Sequence, residues 1–108
     1  AKYPDLTQAV VIDCSHSNSG KDYRRQGEVF NHVLIQRMGH TSGVEIAPNP
    51  AIRGVMIESN VEAGSQPFVY GETRKADLNP FVSITDACIG WEETEALILS
   101  AHEQLGAV

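Results

Sequence analysis

Three short apolar runs punctuate the chain, and each ends on a cluster of polar side chains. Residues 9–12 (Ala-Val-Val-Ile) lead into Asp13-Cys14-Ser15-His16, residues 52–57 (Ile-Arg-Gly-Val-Met-Ile) into Glu58-Ser59-Asn60, and residues 81–85 (Phe-Val-Ser-Ile-Thr) into Asp86-Ala87-Cys88. The first run is continuous and β-branched, the pattern of a strand covered on both faces in a parallel sheet. Between residues 22 and 38 the period lengthens. Tyr23, Phe30, Val33, Leu34 and Met38 recur at helical spacing with Arg24, Arg25, Glu28 and Gln36 between them, which predicts an amphipathic helix closed by Gly39. Trp91, Thr94, Ile98, Ala101 and Leu105 repeat that spacing; Glu92 and Glu93 suit the positive end of this second helix, and Gly106 stops it. Residues 39–51, with Gly39, Gly43, Pro48 and Pro50, read as a connecting loop. Residues 61–80, with Gly64, Pro67, Gly71 and Pro80, read as a long loop holding at most short strands or one helical turn.

Strand, crossover, strand, crossover, strand, helix is the order of a parallel α/β sheet, in which ligands gather at the carboxyl ends of strands. His16, Glu58 and Asp86 then share one rim. Three strands do not close a barrel, and two helices cannot cover Val10, Val11, Ile12, Val55, Met56, Ile57, Val82 and Ile84 together. The expectation is a homo-oligomer, a swapped arrangement, or contact with another part of the chain, to cover the open faces and edges. Residues 1–8 carry Pro4 and little periodicity before the first strand, so the chain reads as starting in mid-architecture.

Composition narrows the class. A length of 108 residues with 42% hydrophobic and 20% charged positions fits one small globular domain. No apolar run approaches the roughly 20 residues that span a bilayer, and Ala1-Lys2-Tyr3-Pro4-Asp5 lacks the layout of a signal peptide, so a cytoplasmic protein without membrane partners is expected. A net charge of -6 argues against nucleic acid, which rewards clustered Lys and Arg; the basic stretch at residues 21–25 is local. Cys14 and Cys88 sit beside run ends rather than in a spaced disulfide framework, as reduced thiols would.

His16, Glu58 and Asp86 make a hard-to-borderline donor set suited to manganese, iron, cobalt or zinc. Position alone leaves a plainer reading open, in which the histidine is a hydrogen-bonded structural residue and the carboxylates cap helices. Ser15, Ser17, Asn18 and Ser19, followed by Gly20 and Lys21, read either as an anion-binding turn at a helix start or as ordinary capping. Cys14 reads as a thiolate ligand or as a buried, inert thiol.

Three long motifs carry a resemblance. They are Asp13-Cys14-Ser15-His16-Ser17-Asn18-Ser19-Gly20-Lys21-Asp22-Tyr23-Arg24-Arg25-Gln26, Gly54-Val55-Met56-Ile57-Glu58-Ser59-Asn60 and Ser83-Ile84-Thr85-Asp86-Ala87-Cys88-Ile89-Gly90-Trp91-Glu92. In this order they closely resemble the C-terminal part of 3-deoxy-D-arabino-heptulosonate 7-phosphate (DAHP) synthase, in its type I, feedback-regulated branch. The resemblance implies an α/β fold comprising the last three βα units of a (β/α)8 TIM barrel, with residues 1–108 as the C-terminal part of one barrel domain. It implies a metal-dependent transferase that condenses phosphoenolpyruvate with erythrose 4-phosphate, the first step of the shikimate pathway. It also implies that His16, Glu58 and Asp86 are three of four metal ligands. The fourth would be a cysteine on an early strand, a position that neither Cys14 nor Cys88 matches. The basic residues that hold phosphoenolpyruvate lie mostly on earlier strands, so these 108 residues alone are expected to be inactive; Lys21, Arg24 and Arg25 are expected to be helix-surface charge. The alternative is a stand-alone, non-catalytic metal-binding or assembly module derived from the same barrel.

Overall fold

The structure, a computed structural model, describes residues 2–41 and 43–106. In chain order its elements are β1 (Val10–Asp13), α1 (Gln26–Met38), β2 (His40–Thr41), β3 (Val44–Glu45), β4 (Ile52–Met56) and α2 (Trp91–Gly106). Short 3₁₀ turns occur at Ser17–Ser19, Tyr23–Arg25 and Lys75–Asp77. β1 and β4 pair in parallel, with Val11 opposite Gly54, Ile12 opposite Val55 and Asp13 opposite Met56. α1 is the crossover between them, so Asp13 and Met56 end side by side and the residues that follow both strands emerge at one rim.

α1 forms where the apolar period predicts it, though its first turn tightens to the 3₁₀ segment at Tyr23–Arg25. It buries Phe30, Val33 and Leu34 against Cys14, Ile52 and Ala101, with Ile12, Val29, Met38, Ile57 and Leu97 packed around them. Full burial of each such aliphatic or aromatic side chain contributes about 1.5–3 kcal/mol. Gly39 closes the helix with φ 84°, its N–H donating to the Ile35 carbonyl. A Cβ there would lie 2.7 Å from the Pro48 nitrogen, so the chain can reverse this tightly only with glycine. The expected plain loop after Gly39 instead contains the small antiparallel hairpin of β2 and β3.

The third apolar run departs from expectation. No strand covers residues 81–85; the chain there makes isolated bridges, Ser83 with Ser65, Cys88 with Gly64 and Ile89 with Ser59. The reason is in the hydrogen bonds. The carbonyls of Phe81 and Ser83 accept from the N–H groups of Glu62 and Gln66, and the Gln66 side chain donates to the Val82 carbonyl at 2.8 Å. The long loop has taken up the groups that a sheet neighbour would use. As expected, residues 61–80 hold no more than the single turn at Lys75–Asp77.

α2 keeps its predicted span but not its predicted burial. Thr94 and Ala101 are buried, whereas Trp91, Ile98 and Leu105 are about half exposed. β1 is similarly bare, with Val10 at 48% and Val11 at 64% exposure. The radius of gyration is 17.4 Å, against about 13 Å for a compact domain of this length. The accessible surface is 7870 Å², against about 5,900 Å² for a compact protein of this mass. The apolar side chains left bare on β1 and α2 are part of that excess surface. Among the described residues, no helix is long and apolar enough to cross a membrane.

Candidate metal centre

The chain ends of β1 and β4 and the bridged turn before α2 bring His16, Glu58 and Asp86 together. Each offers one ligand atom, and these atoms all lie within 4.8 Å of one another. With Ser15, Lys21, Tyr23 and Ala87 they line a small polar cavity of about 80 Å³.

His16 is oriented from behind. Its Nδ1 lies 2.8 Å from Asp13 Oδ2 and 3.1 Å from Ser15 Oγ, while the Ser15 N–H and hydroxyl both donate to Asp13 Oδ1. With Nδ1 engaged by a carboxylate, Nε2 is the ring nitrogen left to ligate, the usual arrangement behind a metal-bound imidazole. The Ser15 hydrogen bonds, with His16 beside them, hold the Asp13 carboxyl below its ordinary value.

Glu58 is held at its main chain. Gln26, fully buried at the start of α1, accepts from the Glu58 N–H at 2.8 Å and donates Nε2–H to the Glu58 carbonyl at 3.1 Å. Burial, and then the facing Asp86 carboxylate, push the Glu58 carboxyl above its ordinary value. Asp86 sits on a turn anchored just after it: the Ile89 N–H donates to the Glu58 carbonyl, and Cys88 exchanges backbone hydrogen bonds with Gly64. Thr94, in the first turn of α2, hydrogen-bonds Ser59 Oγ and donates to the Gly90 carbonyl, tying the helix to the residue after Glu58.

Two carboxylates and an imidazole converge here, and the charged form of one carboxylate is disfavoured by the other. A divalent cation would reverse that penalty, so the donor set fits the ion that the sequence implies. The capping reading of the serine-rich turn does not hold for α1. The Ser15, Asn18 and Ser19 side chains bond back to Asp13 and to the His16 carbonyl, which locks the loop. α1 has no side-chain cap, and Asp22 instead caps the 3₁₀ turn by accepting from the Arg24 N–H. The expected helix-surface charges also lie off α1: Arg24 and Arg25 are in that turn, paired with Asp22 and Glu28, and Lys21 precedes it. Cys14 is buried, and burial raises its thiol pKa, as expected of an inert cysteine.

Sequence reasoning missed Asp13 and Gln26 as supports of the site. A carboxylate three residues before a candidate ligand histidine was a usable signal for the first; Gln26 acts across 32 positions and left none.

Residues 2–99 match the family model described as the DAHP synthetase I family. Over 100 residues the chain is 41% identical to the Tyr-sensitive phospho-2-dehydro-3-deoxyheptonate aldolase of Escherichia coli, covering 93% of this chain and 25% of that protein. It is 41% identical over 98 residues to the tyrosine-inhibited aldolase of Candida albicans, covering 91% of this chain and 24% of that one. The solved structure of the Francisella tularensis aldolase superposes with a TM-score of 0.71 at 36% identity, over 94% of this chain and 26% of that chain. The chain therefore spans about a quarter of the length of these relatives.

Proposed function

Because this chain belongs to the DAHP synthetase I family, we propose that it forms the last three βα units of a (β/α)8 barrel and carries three of the four metal ligands of a DAHP synthase. The reaction is the condensation of phosphoenolpyruvate with erythrose 4-phosphate to give DAHP and phosphate, in aromatic amino acid biosynthesis. The observation that carries this reading is the meeting of His16, Glu58 and Asp86, from three separate parts of the chain, within 4.8 Å.

His16, Glu58 and Asp86 would hold the ion. When bound, a divalent metal supplies Lewis-acid polarisation of the aldehyde oxygen. The residues around the three ligands act by positioning. Asp13 and Ser15 engage Nδ1 of the imidazole and leave Nε2 free to ligate. Gln26 fixes the main chain on which Glu58 stands. The backbone pairs at Cys88 and Ile89 keep Asp86 opposite Glu58. Residues outside this segment would supply the fourth ligand and the phosphoenolpyruvate clamp, so the 108 residues alone are inactive in this reading.

The test uses the full-length protein containing these residues. Glu58→Ala or Asp86→Ala should abolish manganese binding and most phosphate release while leaving the circular dichroism spectrum unchanged. Near wild-type turnover in the double variant would end the assignment. Phosphate release by the purified 108-residue chain, in proportion to its concentration, would end the claim that the other barrel strands are required.

A further inference from the structure

Lys21 is the non-glycine residue with positive φ among the described residues, at 59°, and it follows Gly20 at 64°. Two successive left-handed residues turn the chain back so that the Lys21 N–H donates to the His16 carbonyl at 2.9 Å. Left-handed backbone is strained for a residue with a long side chain; glycine adopts it freely and asparagine nearly so. The turn itself thus gives no reason for lysine. The strained residue also stands at a chemically loaded place, since it lines the same cavity as His16, Glu58 and Asp86. Strain of this kind is typical of sites where the side chain is what matters.

Lys21 shares with Lys2, Arg37, Arg53 and Lys75 the lack of a carboxylate partner among the described residues, but unlike them it lines the cavity of the triad. Among the described residues, Arg24, Arg25 and Arg74 pair with Asp22, Glu28 and Asp77. Lys21 makes no ion pair with a carboxylate within 4.0 Å there, although Glu58 and Asp86 line the same cavity. Lys21 is exposed and lines the cavity, and its charge is not spent on a carboxylate there. A compact cation beside a candidate divalent site suits an anion that reaches both, a phosphate ester or carboxylate whose other end lies against the metal ligands.

Resting on the metal-site reading above, we propose that Lys21 is a substrate-binding residue, its ammonium contacting the anionic group of a substrate bound at the triad. Phosphoenolpyruvate and erythrose 4-phosphate both carry such a group, and the test separates them. Lys21→Gly removes the ammonium and the backbone strain together, while Lys21→Arg keeps the charge. In the full-length protein, three quantities decide the matter: the manganese dissociation constant, the melting temperature, and KM for each substrate.

Lys21→Gly should leave manganese affinity within about twofold and the melting temperature equal or higher. It should raise KM for one substrate at least about tenfold, and Lys21→Arg should recover most of that loss. The substrate whose KM moves is the one held. Unchanged KM for both substrates overturns the role of Lys21 and leaves the metal site standing. A lower melting temperature together with weakened manganese binding also overturns it, because the residue would then be structural. Wild-type protein that neither binds manganese nor turns over would overturn both readings.

Discussion

α1 and α2 have similar apolar spacing and different fates. α1, with 13 residues, buries Gln26, Gly27, Phe30, Val33 and Leu34; α2, with 16, buries only Thr94 and Ala101. The difference does not lie in the helices. α1 is laid against Ile52 of β4, Ile12 of β1 and the Cys14 that follows β1, whereas α2 meets α1 and a loop on one side and solvent on the other. An apolar groove of about 350 Å³, lined by Leu34, Ile52, Val55, Ala101 and Leu105, marks where packing stops. Periodicity states what a helix must bury against something; whether that something is present is a separate fact.

The comparison breaks most directly with paired truncations. Phe30→Ala should cost about 3–5 kcal/mol and Leu99→Ala, at 57% exposure, within about 0.5 kcal/mol. Urea melts measure both, and equal costs would mean that α2 packs as α1 does. A smaller effect is expected at the rim that the better-packed half supports. Asp13→Asn should weaken manganese binding by about 10–100-fold with the fold unchanged, because the imidazole loses its charged partner. Calorimetric titration against His16→Ala checks it.

The bare face of α2 should also make the chain associate with itself, as unpaired strand edges and exposed apolar patches do. Leu99→Glu should shift the sedimentation midpoint about tenfold toward higher concentration, roughly 1.4 kcal/mol. A wild-type chain that stays monomeric over a hundredfold concentration range would remove that expectation.

The smallest effect is electrostatic and belongs to the entrance of α1. Arg24, through its side chain and its N–H, holds the Asp22 carboxyl below the ordinary 3.8. A lowered folded-state value gives stability that is present above the unfolded-state value and lost as pH falls through the folded one. Wild type should therefore exceed Asp22→Asn slightly at neutral pH, and the two should converge in acid below pH 3.8. A difference that persists there would assign the effect to the cap geometry rather than to charge.

Much of this was legible in the chain, and the parts that were not share a cause. Phe30, Val33 and Leu34 are three and four apart, and a local period reveals a local element. Ile52 and the residues after it read as a strand for the same reason. Residues 81–85 read equally well as a strand, but strands exist only by pairing, and their carbonyls went to Glu62 and Gln66 in a loop without pattern. His16, Glu58 and Asp86 were visible because each follows an apolar run. Lys21 reads as helix-surface charge, whereas its left-handed backbone at φ 59° sets it in the turn that precedes the helix, a conformation that the apolar spacing does not encode.

Gln26 constrains inheritance as well as geometry. It gives one hydrogen bond to Glu58 and takes one from the same residue, as a neighbouring strand residue would. Only an uncharged amide carries a donor and an acceptor in one plane at that reach. Glutamate would set a carboxylate against the Glu58 carbonyl, lysine would leave the N–H without an acceptor, leucine would orphan both, and asparagine is one methylene short. Position 26 should therefore tolerate almost no drift, although its side chain bonds only main-chain groups of Glu58.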